Sequence, residues 1–81
     1  MPRVSVSSDN QRALGRLGDA IRARRNERRM SQEALADAAG INRTHMGEVE
    51  RGKRNVSLVA LIGIAAALGC SVSSILSDAG I

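Results

Sequence analysis

Residues 31–52 read SQEALADAAGINRTHMGEVERG, and the reading of this stretch decides the fold. Ser31 stands where a side-chain oxygen can accept an orphaned N–H of a first helical turn, and Glu33 puts negative charge at the positive end of that helix. The helix runs over Gln32–Ala39, with Leu35, Ala36 and Ala39 on one face. Gly40 stops it, because glycine alone enters the left-handed region cheaply. Ile41 follows as a buried hinge residue. Asn42 then caps a second helix, Arg43–Arg51, which turns Met46 and Val49 inward and is ended by Gly52.

Working outward, the basic loop Lys53-Arg54-Asn55 leads to Ser57, which caps an apolar helix over Leu58–Leu68, stopped by Gly69. Leu58, Leu61, Ile62, Ile64, Ala65 and Leu68 wrap most of its circumference, so it needs cover on more than one side. Ser71 or Ser73 caps a last short turn carrying Val72, Ile75 and Leu76. Upstream, Leu14, Leu17 and Ile21 recur at spacings of three and four from Asp9 onward, with Ser8 as cap and Arg22, Arg24, Arg25, Arg28 and Arg29 at the negative end. Gly15 and Gly18 weaken that helix by about 1 kcal/mol each relative to alanine. Residues 1–8 read as a flexible arm and 9–81 as one domain. The expectation is an all-α domain of five helices whose second and third, joined by a short glycine-containing turn, form a helix-turn-helix.

Composition narrows the function. The 81 residues contain no Phe, Tyr or Trp, which disfavours binding by base stacking on aromatic rings. Eleven of the twelve basic residues are arginine, the side chain that forks onto phosphates and guanine edges, although a GC-rich genome enriches arginine too. The excess is uneven. Residues 1–30 hold eight arginines against three acids, residues 31–54 balance four against four, and residues 55–81 hold only Asp78. Cys70 has no partner for a disulfide and reads as a small apolar residue in a reducing cytoplasm. No apolar run approaches the ~18 residues of a membrane span. One histidine and no nucleophile–base pair leave no catalytic constellation, so neither an enzyme, a cofactor, a metal nor a small-molecule ligand is expected.

Ser31–Leu76, together with the lead-in LGDAIRARRNERRM, resembles the phage-repressor and Cro type of helix-turn-helix regulator, the XRE family. The segment NRTHMGEVERGKRNVSL is similar to the controller proteins of restriction–modification systems. The resemblance implies a lambda-repressor-like DNA-binding domain that regulates transcription as a homodimer on a palindromic operator, with half-sites about 34 Å apart. It makes Arg43–Arg51 the recognition helix. Arg43, Thr44 and Glu48 become candidate base readers, since arginine suits guanine, threonine suits thymine and glutamate accepts from cytosine. Gln32, His45, Arg51, Lys53, Arg54 and Asn55 become candidate backbone contacts, with His45 equally suited to covering the core edge.

Arg25 and Glu50 match positions that form an internal ion pair, and Arg29 stands where relatives often carry glycine. The apolar surplus at Ile62, Val72, Ile75, Leu76 and Ile81 is the expected dimer face. Glu33 and Asp37, one helical turn apart, match positions at which activating repressors touch RNA polymerase. The alternative is an antitoxin-type or adaptor protein whose main partner is another protein. A discriminating observation is binding to the DNA just upstream of the gene.

Overall fold

The computed structural model describes residues 8–81. Five helices follow one another: α1 Ser8–Glu27, α2 Gln32–Ala39, α3 Arg43–Glu50, α4 Leu58–Leu68 and α5 Val72–Ala79. Residues 1–7 of the expected arm lie outside the described residues. Ser8, expected to precede α1 as its cap, is instead its first residue.

The four later helices start alike. Ser31, Asn42, Ser57 and Ser71 each accept a backbone N–H three residues on, from Ala34, His45, Ala60 and Ser74, at 2.7–3.1 Å. At α5 the cap is therefore Ser71, not Ser73. Gly40 closes α2 at φ 74°, with its N–H returned to the last-turn carbonyls. The end of α3 differs from expectation. Arg51 closes it at φ −88°, and the left-handed turn falls on Gly52. In the turn after α1, Arg29 stands at φ 56°, the one non-glycine with positive φ among the described residues. The Met30 N–H reaches the Arg25 carbonyl across this turn, the wrap that normally selects glycine at such a position.

α1 packs against α3 and α5, while α2 packs against α3 and α4. The core between them is aliphatic: Ile21, Leu35, Met46, Val49, Ile64 and Ile75 are fully buried. Ile41, expected to be buried, is partly buried, packed against the core at the turn. Gly18 does more than weaken α1. A Cβ there would lie 2.6 Å from the carbonyl oxygens of both Val49 and Glu50, so α1 rests directly on the backbone of α3. A Cβ on Gly52 would meet Gly15 Cα at 2.7 Å, which extends the same close crossing.

α5 is held to α1 by two arginines. Arg16 Nε donates to the Ala79 carbonyl at 3.0 Å, and Arg24 Nε donates to Asp78 Oδ2 at 2.6 Å, a bond that raises the Arg24 pKa. Arg12 and Arg22 face Asp9 and Asp19 within α1. Much of the positive charge counted in the first thirty residues thus has a partner inside the molecule.

Candidate nucleic-acid interface

α3 has an inner and an outer side. The inner side buries Met46, Gly47, Val49 and Glu50. Glu50, 3% exposed, is the one buried charged residue of the described core. Its carboxylate is fully engaged. Arg25 forks onto it, Nε to Oε2 at 2.7 Å and Nη2 to Oε1 at 2.9 Å, and Gln32 Nε2 donates to Oε1 at 3.2 Å. The third guanidinium nitrogen of Arg25 donates to the Met30 carbonyl at 2.9 Å. The hydrogen bond to Glu50 raises the Arg25 pKa, with partial burial opposing it. One carboxylate therefore joins α1, the start of α2 and the end of α3. This is the ion pair expected for Arg25 and Glu50, with Gln32 added to it.

The outer side presents Arg43 and Thr44 to solvent, with His45 and Glu48 half-exposed and Arg51 exposed beyond the helix end. Gly47 sits under two side chains. A Cβ there would meet Arg51 Nη1 at 3.1 Å and Gln32 Oε1 at 3.4 Å, so the missing side chain lets both lie across α3. The basic loop follows with Lys53, Arg54 and Asn55 all exposed. An open groove of about 670 Å³ runs between this loop and the first turns of α1, lined by Leu14, Leu17, Arg51, Lys53, Asn55 and Ile81 among others and by no acidic residue.

Two outer acids have arginine partners. Arg43 Nη1 lies 3.5 Å from Glu33 Oε2, with both side chains about two-thirds exposed. Arg54 Nη1 lies 2.8 Å from Glu48 Oε1, half and one-third exposed respectively. Asp37 is exposed and makes no ion pair among the described residues.

The expected dimer face divides. Ile75 is 0% exposed and belongs to the monomer core, so it has no surface to give a partner. Val72 and Leu76 are half-buried against that core, whereas Ile62 and Ile81 are more than half exposed. Leu58 and Val59, at 66% and 79%, are more exposed than any of these and join Ile62 on one side of α4. Their spacing from the helix start puts them on one side, but both chain neighbours of Val59 are apolar as well, so periodicity does not single it out.

No group of three metal-ligating side chains occurs among the described residues, and no single helix is long and apolar enough to cross a membrane.

A family model described as helix-turn-helix matches residues 21–75 of this chain. Control protein C.SmaI of Serratia marcescens is 45% identical over 65 residues, which cover 80% of this chain and 77% of that protein. Among solved structures, the restriction-modification controller protein C.AhdI of Aeromonas hydrophila superposes with a TM-score of 0.76 at 40% identity, covering 76% of this chain and 94% of its own. The clp gene regulator ClgR of Corynebacterium glutamicum superposes with a TM-score of 0.82 at 32% identity, covering 84% and 72%.

Proposed function

This chain belongs to the helix-turn-helix family of DNA-binding transcription regulators, and from that membership we propose that it binds a palindromic operator as a homodimer and controls transcription in the manner of a restriction–modification controller. The observation that carries the reading is the two-sided α3. Its inner side is fixed by Glu50, and its outer side offers Arg43 and Thr44 without cover. A rigid helix with an exposed arginine and threonine near its start suits the major groove, where Arg43 chelates a guanine edge and Thr44 meets a thymine methyl. His45, Arg51, Lys53, Arg54 and Asn55 surround that helix and contact phosphates. Gln32, at the start of α2, adds a phosphate contact while its amide holds Glu50.

One recognition helix covers too few base pairs to select a site, so a second copy is needed. Leu58, Val59 and Ile62 supply an exposed apolar surface for it, and Val72, Leu76 and Ile81 complete the proposed face. Glu33 and Asp37 on the outside of α2 face away from the core and offer a basic surface of RNA polymerase its contact. Nothing catalytic enters this reading.

The test is fluorescence polarisation with duplex DNA from immediately upstream of the gene, against random duplex of equal length. Wild type should prefer the upstream sequence, and affinity should fall steeply with salt. Arg43→Ala should cost about 1–3 kcal/mol of that preference at one base position per half-site. A variant that keeps the wild-type ratio between the two duplexes removes Arg43 from base reading.

A further inference from the structure

Glu48 is an acid on the DNA-facing side of α3, where a carboxylate repels phosphate. Beyond the ladder of α3 itself, two bonds tie it to the basic loop. Its carbonyl accepts the Lys53 N–H at 2.9 Å, and its carboxylate accepts Arg54 Nη1 at 2.8 Å. A single residue thus ties the loop to the last turn of the recognition helix through backbone and side chain together.

The contrast with Arg43 is informative. Arg43 stands 3.5 Å from an acid that is itself two-thirds exposed, so its guanidinium keeps most of its freedom. Arg54 lies on a loop without regular structure, where an arginine side chain would otherwise sample many rotamers. The Glu48 contact, shorter and with the acid only 34% exposed, restricts it before any ligand arrives. Holding a side chain in its bound arrangement lowers the entropic cost of binding. Pairing also neutralises the acid that would repel the duplex.

We propose that Glu48 is a positioning residue rather than a base reader: it orients Arg54 beside the recognition helix as a preformed clamp for a DNA phosphate. The inference rests on the operator-binding reading above and goes beyond it by giving Glu48 and Arg54 one joint role.

A double-mutant cycle tests it, with Glu48→Ala, Arg54→Ala and the pair measured on operator and random duplex across a salt series. Circular dichroism melting of each variant checks that the fold is retained. Arg54→Ala should weaken both duplexes about tenfold and lower the slope of log K against log salt by about 0.9, the share of one phosphate. Glu48→Ala should also weaken both, although it removes a negative charge, and should lower the salt slope. The double variant should bind no worse than Arg54→Ala alone, because Glu48 acts only through Arg54. Glu48→Gln, which keeps an oxygen acceptor, should fall between wild type and Glu48→Ala.

Three results overturn the proposal. Tighter binding by Glu48→Ala makes the residue a repelling charge and nothing more. A change in base preference that persists in the Arg54→Ala background makes it a base reader. Additive losses with an unchanged salt slope make its role purely structural. If these appear while Arg43→Ala still lowers operator preference, the operator-binding reading stands and only this inference fails. A wild type that holds operator no tighter than random duplex overturns both.

Discussion

Arg25–Glu50 and Arg43–Glu33 are the same chemical pair in two regions. On the inner side of α3 the arginine forks onto a carboxylate that is 3% exposed and takes a third bond from Gln32. On the outer side the two groups stand 3.5 Å apart with water around both. The inner pair is largely withdrawn from water, so each partner is costly without the other. An exposed pair of the outer kind contributes about 0–1 kcal/mol. Burial therefore separates a fastening from a side chain that keeps its freedom: the inner arginine is committed to the fold, and the outer one can leave its acid.

The largest expected effect comes from breaking the inner pair on one side. Glu50→Ala leaves the Arg25 guanidinium facing a void and frees the Gln32 amide. The expected loss is about 3–5 kcal/mol, much of the stability of a domain this size. Denaturant unfolding followed by circular dichroism measures it. Replacing both partners, Arg25→Met with Glu50→Leu, should cost less than either single change, because no unpaired charge remains. Glu33→Ala on the outer side should shift stability by no more than about 1 kcal/mol. Comparable losses on the two sides would break the comparison.

A second contrast lies on α1. Gly15 and Gly18 are equivalent by helix propensity, each about 1 kcal/mol worse than alanine. Their surroundings are opposite. A Cβ on Gly15 meets nothing within 4 Å, whereas one on Gly18 collides with two backbone carbonyl oxygens of α3. Gly15→Ala should therefore raise stability by about 1 kcal/mol, and Gly18→Ala should lower it by about 1–3 kcal/mol as the helices are forced apart. Thermal melting of the two variants should move in opposite directions. Equal shifts would mean that the α1–α3 crossing is looser than the 2.6 Å approach requires.

These cases mark what the sequence could disclose. Helix starts were legible because a cap is a local bond: Ser31, Asn42 and Ser57 each need only an N–H three residues away. The turn at Gly40 was legible for the same reason. Ile75 was misplaced on the dimer face because spacing reveals that a residue is apolar and not which surface covers it. The Glu48–Arg54 bond was not legible, since Arg54 sits on a loop whose path the periodicity does not describe. Gly18 looked like a defect until the backbone it accommodates, some thirty residues later, was in place. Arg25 and Glu50 could be paired only through resemblance, because no local rule joins residues 25 positions apart.

The smallest expected effect concerns the outer acids, and it sharpens the comparison most. Glu33 and Asp37 share the outer side of α2, but only Glu33 has an arginine against it. Glu33→Gln releases Arg43 and removes a charge that repels phosphate, at the cost of a favourable interaction with the α2 terminus of about 0.5 kcal/mol. Operator affinity should rise a few-fold at low salt, and the gain should vanish as salt screens it. Asp37→Asn should leave Arg43 as it is and change affinity less. If α2 also contacts polymerase, the two residues should act together in a transcription assay from the protein's own promoter. Activation should fall with Glu33→Gln as well as with Asp37→Asn, because Arg43 leaves Glu33 when it moves onto DNA. Activation that survives the double change removes α2 as the polymerase surface, while a loss confined to Asp37→Asn would mean that Arg43 keeps its acid on DNA.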